Sequence, residues 1–527
     1  MTVNGFQPAG VICRRAWLLV GALSIMMTSR LAADSPYWHS QPRSLPAAWP
    51  ELADSDDDWV HQASAASMAL APGDSAGGPS ECTAEQRRAL RRAATGAYKG
   101  VFYANDFSYL CDPCYDGWHL GENLKRIGIA PWMMVDVGGQ YRARLHNERN
   151  MRNAPPIGLG LTGASDDFLL HRTRLYVNSQ IGQRVRFYGE MLDAVSQFEN
   201  FAPRAIEENR AELQNLFLDV VALEGARGSL TGRVGRQEVI LGSQRLISPL
   251  DWANTRRTFQ GGRLMWLGEN WDLDGFWVRP MRRDVRRLDP PDLDRQLYGV
   301  YSNYKGLERD GLELYWLANE DTRLGFHYHT IGSRYHGERD DWLYEAEGGV
   351  QFGKDIDDTD HSAGFFTLGL GRRMDMPWQP TLWTYYDWAS GDDTVNNGFH
   401  HYEPLAHRFL GFMDLFGRRN IETVNLLLTA QPRERLQLLV WYYYFWLQNG
   451  NDVPYTVVMT PYAGMTSGTG VRDLGHEIDF LATWSMTPRT ELQFGYSRFF
   501  AGRFYRSTDL DVPNHADFFY TQFTVNF

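Results

Sequence analysis

Four cysteines in 527 residues are too few to build a fold on disulfides. Outside the N-terminus no run of about 18 apolar residues occurs, which excludes a membrane-crossing helix. Metalloprotease, phosphate-loop and serine-nucleophile motifs are all missing, so the common routes to hydrolysis have no sequence support. A basic excess is missing as well. The 52 Lys and Arg against 64 Asp and Glu leave a net charge of −12, which argues against nucleic-acid binding. What the chain does hold is 18 Trp, 26 Tyr, 28 Phe and 50 Gly at a mean hydropathy of only −0.42. Aromatic- and Gly-rich yet hydrophilic is the balance produced when lipid-facing and water-facing residues alternate along strands.

The first 33 residues read as a secretory signal. Arg14 and Arg15 supply the positive region, Ala16 to Met27 the apolar run, and Leu31-Ala32-Ala33 a cleavage site before Asp34. Losing this segment removes three Arg and no acid, taking the net charge from −12 to about −15. Cys13 precedes the apolar run and is no lipoprotein cysteine. Cys111 and Cys114 form a CxxC with Cys82 apart. In an exported protein a disulfide is expected here, its pairing open, rather than a redox centre or a zinc site. Residues 34 to about 85 have linker composition, rich in Pro, Ser and acid. Thr83 to about Tyr98 forms a short basic helix with Thr83 as its cap. Two roles are open to it: a solvated helix facing the periplasm, or a plug or docking element near a pore mouth. Asn105 to Lys125 reads as irregular. The chain thus divides into a signal peptide (1–33), an extension (34–130) and a barrel (131–527).

From Trp132 on, alternating segments of about ten residues recur to the end. In MMVDVGGQYRARLHNE one face carries Val135, Val137, Tyr141, Ala143 and Leu145, and the other Asp136, Gln140, Arg142, Arg144, His146 and Glu148. LLHRTRLYVNSQI and RVRFYGEML repeat the pattern around Arg172, Arg174 and Arg186. Further segments bring the count to about 18. Connections alternate between tight (TAQPRER, MTPRTE) and long (GSRYHGERDD, GKDIDDTDH, Ala389–Asn420, YTVVMTPYAGMTSGTGVRD). The last strand, DFFYTQFTVNF, alternates up to Phe527 and resembles the assembly signal of bacterial outer-membrane barrels. Together these predict an all-β fold, a transmembrane antiparallel β-barrel of about 18 strands with a largely irregular N-terminal periplasmic extension.

The richest stretch is Ser229 to Leu267, with Arg233, Arg236, Arg245, Arg256, Arg257 and Arg263. Guanidinium stays protonated, and its planar fork matches a carboxylate bidentately. Arg142, Arg144, Arg172, Arg174, Arg186, Arg233 and Arg263 fall in water-facing registers, where they line a pore that concentrates anions. Asp136, Glu190, Asp193, Glu345, Glu347, Glu477 and Asp479 are the acids expected to hold them in place. An Arg–Glu ladder that serves structure alone is the competing account. His400, His401 and His407 are expected at the surface of a long loop. Asp355, Asp357, Asp358 and Asp360 lack the turn glycine and the bidentate Glu of a calcium loop, so they read as a solvated acidic loop.

GRVGRQEVILGSQRLISPLDWANTRRTFQGGRL resembles the signature of the alginate-export outer-membrane barrel family. So do YYDWASGDD (Tyr385 to Asp393), the segment Asp414 to Asn420, and GHEIDFLATW (Gly475 to Trp484). The resemblance covers residues 130 to 527. It implies an 18-stranded monomeric barrel, folded by the barrel assembly machinery, with an arginine-lined constriction for alginate or a similar acidic polysaccharide. Its pore arginines carry over to Arg142, Arg144, Arg172, Arg174, Arg233 and Arg263, while Arg256 and Arg257 match the motif near a turn. The N-terminal extension departs from the family's minimal barrel and is where periplasmic secretion partners would meet the protein. The expected function is a non-enzymatic outer-membrane channel exporting an anionic polysaccharide, with no bound cofactor and Ser390–Asn397 among its candidate gates. The alternatives are an anion-selective porin importing small acidic sugars and a barrel hydrolase with converging Ser, His and carboxylate.

Overall fold

Side chains alternate across an extended backbone, and from Met133 on that alternation sorts charge from grease. Arg142, Arg144, His146 and Glu148 are buried, whereas Leu145, on the same strand, is 47% exposed. The computed structural model describes residues 82–152, 161–284, 287–508 and 512–527. The expected signal peptide and most of the linker lie outside the described residues.

A short strand, β1 (Ile127–Ala130), precedes the barrel. The first half of the barrel is β2 (Met133–Arg149), β3 (Asp166–Ile181), β4 (Val185–Gln197), β5 (Asn209–Gly225), β6 (Gly228–Gln237), β7 (Phe259–Gly268), β8 (Trp271–Pro280), β9 (Arg295–Tyr304) and β10 (Asp310–Asp321). The second half is β11 (Phe326–Arg339), β12 (Trp342–Lys354), β13 (Asp360–Arg373), β14 (Thr381–Ala389), β15 (Ile421–Arg433), β16 (Leu436–Trp446), β17 (Asp473–Thr487), β18 (Thr490–Ala501) and β19 (His515–Asn526). Each barrel strand pairs antiparallel with its sequence neighbours, and β19 pairs with β2, so the 18 strands β2–β19 close a barrel. Closure satisfies every strand edge, which a sheet in hydrocarbon requires. All 18 segments expected from periodicity are present.

Outward positions form an apolar belt: Leu175, Val234, Leu264, Val350 and Leu370 are all more than half exposed. Such exposure would cost a soluble protein its solubility and is what lipid contact needs. One end carries tight turns (226–227, 269–270, 340–341, 434–435, 488–489) and the other long loops (238–258, 390–420, 447–472). The tight-turn end faces the periplasm.

Two expected long connections are short: of GKDIDDTDH only 355–359 lie between β12 and β13, and GSRYHGERDD is mostly strand. GSRYHGERDD continues β11, and the turn is only Asp340 and Asp341. Its glycines mislead because Gly332 serves packing, not turning. Gly332 lies opposite Tyr315, and a Cβ there would meet the Tyr315 ring at 2.5 Å. Tyr315 in turn stacks on Tyr301, ring centroids 5.4 Å apart. Gly332→Val is expected to destabilise the barrel by about 1–3 kcal/mol through this overpacking, read as a lower urea midpoint for loss of the heat-modifiable folded band.

The lumen is filled by the chain itself. Loops 238–258, 390–420 and 447–472 fold inward, and Leu246, Ile247, Phe399, Leu410 and Phe412 join the main hydrophobic cluster with lumen-facing Tyr301, Tyr443 and Phe445. From the other end, α1 (Ala84–Thr95), capped by the Thr83 side chain on Gln86 N, leads into a segment that enters the barrel. Cys82 bridges Cys114, tying the helix to that segment; Cys111 stays outside the bridge and is exposed.

Candidate functional site: the arginine track

Alternation on β2 to β7 turns one arginine after another toward the lumen, and strand pairing places them side by side. Arg142 lies opposite Arg172, and Gln140 opposite Arg174. Arg186 lies opposite Asp219, Asp219 opposite Arg233, and Arg233 opposite Arg263. Of the seven expected pore arginines, Arg263 is the most accessible at 8%. The structure therefore brings all seven together as one track along the inner wall.

Their partners differ along the track. Arg174 donates to Glu190 at 2.6 Å, and Glu190 also accepts from Tyr188 and Asn215. Asp219 takes Arg233 bidentately, at 2.7 and 3.0 Å, and Arg186 at 2.9 Å. Arg263 pairs with Asp274. By contrast, Arg142 donates to the carbonyls of Asp251 and Ala253 at 2.8 and 2.7 Å, and Arg144 to that of Trp252 at 2.7 Å. Arg172 reaches the Asp251 carboxylate at 2.9 Å and Gln140 at 2.8 Å. Trp252 stacks with the Arg144 guanidinium at 3.8 Å and with the His407 ring at 3.6 Å. Arg172 Nε and Arg233 Nη1 are buried donors with no hydrogen-bond acceptor among the described residues, and Arg174 Nη2 has only the Glu238 carboxylate, at ion-pair distance (3.6 Å). Buried N–H groups of this kind are costly unless something accepts from them.

Asp193 does not join the track. It is an odd number of residues from Glu190 on β4, so it faces outward, where Arg210 holds it at 2.8 Å and its side chain is 39% exposed. Other expected acids sit in the lumen with different partners. Glu345 and Glu347 hold Arg245, and Glu345 with Glu313 holds Arg334. Glu477 and Asp479 accept the backbone N–H groups of Met413 and Phe412, clamping loop 390–420 rather than an arginine. Asp136 accepts from the Arg126 backbone at 2.6 Å. Arg256 pairs with Glu238 and Asp251, and Arg257 with Glu403, all in inward-folded loops. His401 and His407 are buried, not on the surface, because their loop packs into the lumen. Asp357, Asp358 and Asp360 are solvated as expected, while Asp355 is tucked under His361 at 2.7 Å. Among the described residues no group of three or more His, Cys, Asp or Glu is arranged to hold a metal ion.

The residues that sequence reasoning missed are the covers. Asp251, Trp252 and Ala253 cap the upper arginines from loop 238–258. From the periplasmic end, Tyr103 O accepts from Arg186 at 2.9 Å and Gly100 O from Arg256 at 2.9 Å. The Phe102 ring lies 3.9 Å from the Arg174 guanidinium, and the Tyr103 ring 4.5 Å from that of Arg233. The only signal for this contact was the aromatic density of VFYANDFSYL.

An antiparallel barrel of 18 strands, apolar outside and guanidinium-lined inside, defines an outer-membrane channel protein. The chain belongs to the alginate export family, whose sequence model matches residues 133–517. No curated protein matches it in sequence. Solved structures of similar fold include Pseudomonas aeruginosa OccD3 (12% identity, 74% of this chain and 91% of that one, TM-score 0.50). Acinetobacter baumannii OccAB1 (9%, 75% and 96%, 0.51) and P. aeruginosa OccK8 (12%, 75% and 98%, 0.51) are similar too. At these identities the likeness is one of fold. It agrees with the barrel described above and with a place in the bacterial outer membrane.

One of the ties between the extension and the barrel is a buried lysine. Lys125 Nζ donates to Val137 O at 2.5 Å and Phe527 O at 3.1 Å, amid the rings of Tyr98, Phe107 and Tyr176. Burial pushes its pKa down to about 7, with Asp136 opposing and Arg489 adding to the fall. A lysine free of the barrel titrates near 10.5. The seated state therefore binds fewer protons between those values, and seating strengthens as pH rises from about 7 toward 10.5. Normalised to trypsin's activity on an unstructured peptide at each pH, release of the extension is expected to be faster at about pH 6 than at about pH 8.5, and Lys125→Met is expected to abolish that difference.

Proposed function

We propose that the barrel exports a carboxylated polysaccharide, an alginate-like polyuronate, along the arginine track. The observation that carries this reading is the buried row Arg142, Arg172, Arg174, Arg186, Arg233 and Arg263, with donors left over on Arg172 and Arg233. A polymer bearing one carboxylate per sugar offers acceptors at regular intervals, and forked guanidinium donors take them in turn. Glu190, Asp219 and Asp274 already hold part of that charge, so each sugar is bound weakly enough to pass on to the next arginine. Transport of this kind makes and breaks no covalent bond and requires no cofactor. The protein acts as a monomer, with periplasmic secretion partners met through its extension.

Planar-bilayer recording tests the reading. Open-channel current is expected to be anion-selective and to be blocked by long polyuronate added on the periplasmic side. Free passage of short uronates without block by the polymer would instead favour an importing porin. Cation selectivity would overturn both.

A further inference from the structure

Residues 97–106 form a closed loop that enters the barrel from the periplasmic end. Its neck is pinned by Asp106 N on Ala97 O at 3.0 Å and by Lys99 N on the Asn105 side chain at 2.8 Å. Its tip, Val101 to Ala104, packs with the lumen-facing rings of Tyr176, Tyr188 and Phe217. The loop offers two carbonyls and two rings to four guanidiniums: Tyr103 O to Arg186, Gly100 O to Arg256, Phe102 over Arg174, and Tyr103 over Arg233. Tyr103 OH also donates to Glu238 O at 2.9 Å, so the tip touches the inward loop 238–258.

The surrounding segment is built to hold this tip without fixing it covalently to the barrel. The Cys82–Cys114 bridge is internal to the extension. Arg489, in the turn between β17 and β18, donates to Ala94 O at 2.8 Å and Tyr109 OH at 3.0 Å. Lys125 and Arg126 tie the far end to β2. A hydrogen-bonded, ring-stacked contact of this sort can dissociate. A carbonyl is also a weaker partner for guanidinium than a carboxylate.

We propose that the tip is a tethered competitor for the transported acidic chain. It occupies the lower arginines in the resting channel and is displaced when polymer carboxylates take those arginines. This inference rests on the polyuronate reading of the track. Tethering gives the tip an effective concentration of order millimolar, enough to exclude single anions, whereas a polymer engages many arginines at once and competes multivalently. The apparent affinity for polymer is reduced by the fraction of channels in which the tip is withdrawn.

The test uses the full chain in liposomes, in a Cys13→Ser, Cys111→Ser background that keeps the Cys82–Cys114 bridge. The thiol introduced by Phe102→Cys is expected to resist a membrane-impermeant maleimide at rest and to label about tenfold faster with saturating polyuronate. Calorimetry on Phe102→Ala/Tyr103→Ala is expected to show polyuronate binding at least about tenfold tighter than in the parent. Two results overturn the proposal while leaving the polyuronate reading intact: a thiol that labels freely at rest, or one that stays protected while calorimetry registers bound polymer. Equal affinity in the double variant and parent also overturns it. Absence of polyuronate binding in both proteins overturns the polyuronate reading, and the competitor role with it.

Discussion

Replacing Arg172, Arg174, Arg233 and Arg263 by alanine is expected to do more than weaken anion preference; it is expected to invert it. Each of these side chains is buried on the lumen wall, and all four neutralise a lumenal acid: Arg172 on Asp251, Arg174 on Glu190, Arg233 on Asp219, Arg263 on Asp274. Removing the guanidiniums subtracts four positive charges and releases negative ones on the same lumen wall. Charges about 4 Å apart interact by about 4 kcal/mol at the effective dielectric near a protein surface. A change of sign along the track is therefore worth at least about tenfold in the anion-to-cation permeability ratio. The reversal potential in a salt gradient measures this directly, and polyuronate block is expected to vanish with it. A quadruple variant that keeps the parent's reversal potential would show that ions pass elsewhere, and the track would then be scaffolding.

The arginines could be found from sequence because alternation is local. A strand of the form Arg-x-Arg, as at Arg142–Arg144 and Arg172–Arg174, declares its water-facing register with no knowledge of its neighbours. The same rule applied to Asp193 places it outside, because it lies three residues from Glu190 on β4 and so on the opposite face. Gly332 suggests a loop because glycine marks turns more often than it makes room for a neighbouring ring, and the room is visible only once Tyr315 stands opposite.

What sequence could not show is how the lumen is closed. Leu246, Ile247, Phe399 and Leu410 sit in Gly- and Pro-punctuated stretches with no period, so nothing distinguishes loops that fold inward from loops that reach into solvent. The extension is the same case. Phe102 and Tyr103 sit in an irregular aromatic run, and their partners Arg174 and Arg233 lie 72 and 130 residues away in sequence. Contacts of that range are decided by the assembled barrel, which positions guanidiniums that a ring or a carbonyl can then cover.

The most damaging single substitution expected for the fold is Asp219→Ala. Asp219 is 3% exposed and is the shared acceptor of two guanidiniums, Arg186 and Arg233. Truncating one member of a buried ion pair costs about 3–5 kcal/mol, because the charge left behind keeps its desolvation cost and loses its partner. Here two charges are left, on neighbouring strands β4 and β6 that flank β5, and they repel each other across the gap. Tyr103 O remains as an acceptor for Arg186, and the rings of Tyr103 and Phe217 remain beside Arg233. These soften the loss without cancelling it. The urea midpoint of the reconstituted barrel is expected to fall accordingly, and Asp219→Asn, which retains an acceptor oxygen, is expected to lose less. Adding Arg233→Ala to Asp219→Ala should recover part of the stability, because it removes the stranded charge along with the acid that held it. A double variant no more stable than Asp219→Ala would mean that the acid's worth lies in packing against β6 and not in its charge.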